Sequence, residues 1–174
     1  MKTVIAAAAL AAAAAGGPAP GISSLNPEAL KALIPETIPW RTGPSGNASA
    51  TLVGDQSKPG FYVVMNRFQP GTWDQPHYHA YDRYILILSG TWWVDTGTTY
   101  DPDHRTVPLK AGTFVVHPAR QIHYDGVRTG SGEVVMMVFG QGPGARIECM
   151  GPRADTGPGP CADARAKAAA QGGG

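Results

Sequence analysis

The chain has 174 residues, a net charge of +1 and 16% charged side chains. That length holds one domain with a proper hydrophobic core rather than two. The near-neutral balance argues against a nucleic-acid face or a polybasic lipid patch, so the expected partner is a small-molecule substrate or ligand, with no nucleic acid involved.

In chain order, residues 1–15 have the layout of a secretory signal. Lys2 supplies the positive n-region, Val4 to Ala15 is an unbroken apolar run, and Ala13-Ala14-Ala15 offers a small-residue cleavage site before Gly16. The run falls short of the ~20 residues of a bilayer-crossing helix, so export to the periplasm or medium is expected, without stable membrane insertion. Residues 16–55 read as a partly irregular N-terminal arm. A short helical pattern opens at Asn26-Pro27-Glu28 and ends near Ile34-Pro35, and Trp40 and a polar stretch follow.

Residues 56–145 change texture to strand-length runs rich in β-branched and aromatic residues: FYVVMNRFQ, YILILS, TWWVDT, TFVVH and EVVMMVFG. Pro70-Gly71, Ser89-Gly90, Ala111-Gly112 and Gly130-Ser131-Gly132 punctuate them, and no helix of useful length intervenes. Short strands with turns between them predict an all-β sandwich or barrel. Trp92 and Trp93 are adjacent, so one faces the core and the other outward, which suggests a homodimer. Residues 146–174 form a Gly/Pro/Ala-rich tail whose last stretch, ADARAKAAAQGGG, reads as solvated with a helical turn or two. In an oxidising compartment its two cysteines, Cys149 and Cys161, are expected to form a disulfide.

His77 and His79 lie two residues apart, which in a strand puts both imidazoles on one face, and His123 can add a third ligand from elsewhere. Three imidazoles that leave coordination positions open suit a catalytic transition metal better than a closed structural site. The surrounding residues resemble the cupin superfamily. Its first motif runs Gly, five residues, His-x-His, three or four residues, Glu, six residues, Gly. This chain has Gly71, TWDQP, His77-Tyr78-His79, Ala80-Tyr81-Asp82, Arg83, YILILS and Gly90. The second motif, Gly, five residues, Pro-x-Gly, two residues, His, three residues, Asn, is echoed by Gly112, TFVVH, Pro118-Ala119-Arg120, Gln121-Ile122 and His123, with Arg120 in place of the internal Gly and Val127 in place of Asn. The resemblance covers Phe61 to Phe139. It implies a cupin-type jelly-roll β-barrel (double-stranded β-helix) with a metal in its mouth and leaves the reaction open, since cupins include dioxygenases, lyases, isomerases, storage proteins and sensors.

Arg83 stands where the family motif has a carboxylate ligand, and a guanidinium cannot ligate. Three arrangements follow. Arg83 can face a three-His metal and grip an anionic substrate; it can turn outward, toward Asp82 or Asp74, while Asp82, Tyr84 or Gln121 assists the metal; or the histidines, Arg83 and tyrosines can form a metal-free polar pocket. His117, next to Pro118, reads as structural, with a proton-carrying role as the alternative, His104 as a loop residue, and Tyr78 as a packing residue pointing away from the two histidines that flank it. The expected cofactor is a divalent ion among Fe, Mn, Zn, Cu and Ni. A signal without a twin-arginine pair implies metal loading outside the cytoplasm and argues against a dependable Fe(II) site. The expected function is a metal-dependent dioxygenase or lyase acting on a small anionic organic substrate, with Arg83 as its catalytic side chain; the competing class is a non-catalytic periplasmic metal- or small-ligand-binding module.

Overall fold

The computed structural model describes residues 21–171, so the expected signal segment lies outside the described residues. Gly21–Ile38 belongs to one compact unit and carries two single-turn 3-10 helices, Ile22–Ser24 and Pro35–Thr37. The helical pattern predicted from Asn26 to Ile34 closes only one turn, in which the Ala29 and Leu30 amides both donate to the Asn26 carbonyl. Leu30 and Leu33 are exposed, so no apolar face repays the cost of nucleating more helix, and Pro35 stops it.

The second unit begins at Pro39. Its strands are β1 (Arg41–Thr42), β2 (Ala48–Val53), β3 (Gly60–Phe68), β4 (Trp73–His79), β5 (Arg83–Ser89), β6 (Thr91–Thr96), β7 (Val107–Lys110), β8 (Phe114–His117), β9 (His123–Gly126), β10 (Val134–Gly142) and β11 (Arg146–Glu148), followed by helix α1 (Pro160–Gln171). They form two antiparallel sheets, a six-stranded one in the order β1-β2-β3-β10-β5-β8 and a five-stranded one in the order β11-β4-β9-β6-β7. This is the jelly-roll architecture the sequence implied. All five expected strand runs are present, as β3, β5, β6, β8 and β10.

Strand periodicity builds the core. Along β10, Val134, Met136 and Val138 point inward while Val135, Met137 and Phe139 are only partly buried. The inward residues pack with Tyr62, Val64, Ile85, Ile87, Trp92 and Val127 in one apolar cluster, and each large side chain so buried contributes about 2–3 kcal/mol. Trp93, the partner of Trp92 on the opposite face, lies under the Arg128 guanidinium at 3.8 Å. The outward ring is thus half-buried, with a cation packed on one face.

Two segments read as arm and tail take part in the sheets. β2 pairs with β3 along Ala48↔Arg67 to Val53↔Val63, so barrel pairing begins before residue 56. β11 pairs with β4, placing Arg146, Ile147 and Glu148 opposite His79, Tyr78 and His77. Cys149 and Cys161 form a disulfide that packs with Tyr78, and Cys161 lies in the first turn of the twelve-residue helix α1. The Gly and Pro content around β11 hides a three-residue edge strand from any periodicity test.

Two turns show how local conformation is specified. Between β5 and β6, Gly90 has φ +78°, and a Cβ there would lie 2.3 Å from the Glu133 carbonyl oxygen, so both conformation and space require glycine. Arg120, which replaces the glycine of the second motif, has φ 64°. Its backbone has kept the left-handed conformation of the glycine while its amide donates to the His79 carbonyl at 2.8 Å. Arg120→Gly should therefore be more stable than Arg120→Ala by about 1 kcal/mol, because both lose the side chain and only glycine escapes the steric penalty; thermal unfolding of the two variants checks this.

Candidate metal centre

β4 and β9 lie side by side, with His77 opposite His123 and Asp74 opposite Asp125. Between these pairs β4 has one residue more than β9, a bulge that re-aims the end of β4. The three predicted histidines converge. His77, His79 and His123 are buried, and each offers a ring nitrogen within 4.8 Å of those of the other two. The ring centroids of His77 and His123 are 4.4 Å apart and those of His79 and His123 5.5 Å.

The ring nitrogens divide into two sets. Every Nδ1 faces a main-chain carbonyl: His77 at 2.7 Å from Gln75 O, His123 at 3.1 Å from Gln121 O, and His79 at 3.2 Å from both Gly144 O and Ala145 O. A carbonyl only accepts, so Nδ1 carries the proton and Nε2 keeps its lone pair. The three Nε2 atoms are buried and have no hydrogen-bond partner. Three bare imidazole nitrogens in one place are costly unless something accepts their lone pairs, and a divalent metal does so. The residues present therefore fit a metal. Burial also pushes all four inner histidines toward their neutral form: His79 is held down to about 2 and His117 to about 3, with the Arg83 charge as the next cause for both, and His77 and His123 are also lowered.

Arg83 lies opposite His117 across β5 and β8, and its Nε donates to His117 Nδ1 at 3.3 Å. That bond leaves the His117 proton on Nε2, making the ring a donor rather than a ligand. His117 is buried, with its ring 3.7 Å from that of His123, centroid to centroid. Among the described residues no carboxylate pairs with Arg83. Asp82 is exposed and accepts the Ala119 amide, and Asp74 is bridged to Arg146. The helpers named for an outward-turned Arg83 also face elsewhere. Gln121 is exposed, and Tyr84 stacks with Phe114 and Phe139. Tyr78 points away from the histidines onto the disulfide, as strand alternation predicts.

A cavity of about 730 Å³ is lined by Arg83, Asp74, Asp125, Trp92 and Arg146, while the histidines themselves lie behind this wall. Sequence reasoning missed Asp125. It is 2% exposed; Oδ1 accepts the Trp92 indole N–H at 3.1 Å, and Oδ2 lies 4.0 Å from His77 Nε2 with no hydrogen bond of its own. Burial, then the nearby Asp74 charge, raises its pKa well above the usual carboxylate range. Its signal in the sequence was the i, i+2 spacing from His123, the same logic that paired His77 with His79.

A sequence profile of the ChrR cupin-like domain matches residues 29–143. The chain belongs to this cupin family. Among solved structures this cupin is similar to the polyketide cyclase RemF from Streptomyces resistomycificus, at 17% identity and a TM-score of 0.51 over 64% of this chain and 79% of that one. It is also similar to a protein of unknown function with a cupin-like fold from Ralstonia eutropha JMP134, at 18% identity and a TM-score of 0.50 over 72% of this chain and 74% of that one. At these identities the likeness concerns the fold. No curated protein matches the chain. Among the described residues of this cupin no helix is long and apolar enough to cross a membrane.

Proposed function

We propose that this cupin is an exported, metal-dependent enzyme acting on a small anionic organic substrate, with His77, His79 and His123 as the metal ligands. The observation that carries the proposal is the set of three buried, partnerless Nε2 atoms beside a cavity walled by Arg83. A divalent ion held there would supply Lewis-acid chemistry to a lyase or, if redox-active, electron transfer to an oxygenase. The protein's own part is positioning. The main-chain carbonyls behind each Nδ1 fix the three rings. Arg83 spends only Nε on His117, so its terminal amino groups are left to grip a carboxylate or enolate through two parallel hydrogen bonds. His117, with its proton on Nε2, adds a neutral donor beside His123. The signal layout of residues 1–15 and the Cys149–Cys161 disulfide support export.

The test is elemental analysis of the mature protein, purified from its exported compartment without a metal-affinity tag. About one equivalent of a divalent metal is expected. A redox metal directs the assay to oxygen uptake with small carboxylates, and zinc or manganese directs it to lyase turnover. No metal, even after reconstitution, would remove the proposal and leave a ligand-binding pocket. Tight ligand binding without turnover would favour the binding-module reading instead.

A further inference from the structure

We infer that Asp125 supplies the fourth, anionic ligand of the metal centre, from β9, in place of the carboxylate that Arg83 has displaced from β5. The inference rests on the three-histidine reading above and adds a residue at a position that neither cupin motif specifies.

Four observations carry it. First, strand alternation puts Asp125 on the same inward face as His123, two residues earlier on β9. Second, the carboxylate is oriented: the indole N–H of the fully buried Trp92 holds Oδ1, which leaves Oδ2 directed toward the histidines. Third, Oδ2 lies 4.0 Å from His77 Nε2. Two ligands each about 2.1 Å from one metal lie between roughly 3 and 4.2 Å apart, depending on the angle between them, so this separation fits two ligands of one ion. The carboxylate stands outside the group of three histidines whose ring nitrogens lie within 4.8 Å of one another, so it has to close on the other two as the ion binds. Fourth, Oδ2 is buried with no hydrogen-bond partner, as are the three Nε2 atoms.

Charge points the same way. Three neutral imidazoles leave a divalent ion with its full charge, and the Arg83 cation lies on the same cavity wall. The other carboxylates near β4 are already engaged, since Arg146 bridges both Asp74 and Glu148. Asp125 is thus the buried carboxylate free to offset the ion, and without it two cationic centres would share one cavity uncompensated. His117, the other inner side chain close enough to compete, presents an N–H rather than a lone pair because Arg83 occupies its Nδ1.

The experiment is zinc affinity, measured by competition with a chromophoric chelator, on the wild type, Asp125→Asn and His77→Ala, together with the visible spectra of the cobalt-loaded wild type and Asp125→Asn. Asparagine keeps the shape and can still accept from Trp92, so the barrel is expected to fold. The expected result is a zinc affinity about 100-fold or more below wild type for Asp125→Asn, with a changed cobalt spectrum. Wild-type affinity and spectrum in Asp125→Asn, alongside loss of binding in His77→Ala, would overturn the Asp125 assignment and leave the three-histidine site standing. A wild type that takes up no metal overturns both. A crystal structure of the zinc-loaded wild type decides the matter without a variant: Asp125 Oδ2 about 2 Å from the ion supports the assignment, and an ion ligated by histidines and solvent alone overturns it.

Discussion

Alanine at His77, His79 or His123 should each abolish stoichiometric metal uptake, weakening affinity on the order of 10³-fold, whereas alanine at His117 should leave affinity within a few-fold of wild type. The magnitude follows from losing one of a few ligands that together hold a metal by roughly 10–16 kcal/mol in comparable nitrogen and sulfur sites. The contrast follows from tautomers. The first three rings turn Nδ1 to main-chain carbonyls and leave Nε2 bare, whereas His117 accepts from Arg83 at Nδ1 and leaves a proton on Nε2. All four histidines are buried within one cluster, so proximity alone does not separate them. Isothermal titration with zinc on the four variants, with circular dichroism to verify folding, makes the comparison. Full retention of metal by any of the first three removes that residue from the ligand set, and loss in His117→Ala would place His117 among the ligands.

Acid should destabilise the metal-free protein steeply between about pH 6.5 and pH 4. Folded His79 and His117 hold pKa values of about 2 and about 3, and His77 and His123 are lowered too, all chiefly by burial. In the unfolded chain each imidazole titrates near pH 6.5. Below that pH the unfolded state binds protons that the folded state refuses, so stability is lost as pH falls. At pH 5 each such histidine costs about 2 kcal/mol, one and a half pH units at 1.36 kcal/mol per unit. Asp125 opposes the trend. Its raised pKa lets the folded state hold a proton that the unfolded state has released, so that contribution grows as pH falls toward the usual carboxylate range. One carboxylate offsets only part of four imidazoles. The midpoint of thermal unfolding, followed from pH 7.5 to pH 4.5 in chelator, should fall monotonically. Bound metal should raise stability at pH 7 and be expelled within the same acid window, because protons compete for the same Nε2 atoms. A flat profile would show that the imidazoles are solvated rather than enclosed.

Much of this protein was legible because its signals are local. Strand-length runs such as YILILS and EVVMMVFG, with glycine at their ends, mark strands by composition and give the all-β class. The His77-x-His79 spacing announces two imidazoles on one strand face, and together with Gly71, Gly90, Gly112 and Pro118 it identified the jelly roll. The Cys149–Cys161 disulfide followed from two cysteines near one another in sequence. The helical pattern at Asn26 to Ile34 misled, because a helix of that length needs an apolar partner and propensity does not reveal that its leucines stay exposed.

By itself, then, the sequence determined five of the eight strands of the central barrel, the family and the three histidines, all of which rest on composition and spacing along the chain. Tertiary structure decided the rest. β2 and β11 extend the sheets from segments read as arm and tail, Arg83 meets His117 across β5 and β8, and Asp125 reaches His77 from β9 with Trp92 behind it. These pairings join residues far apart in sequence, and register depends on which strands become neighbours. The residue replacing the motif's glutamate showed only that the expected ligand was gone; the burial and orientation of Asp125, set by the packing of two sheets, show where a carboxylate remains.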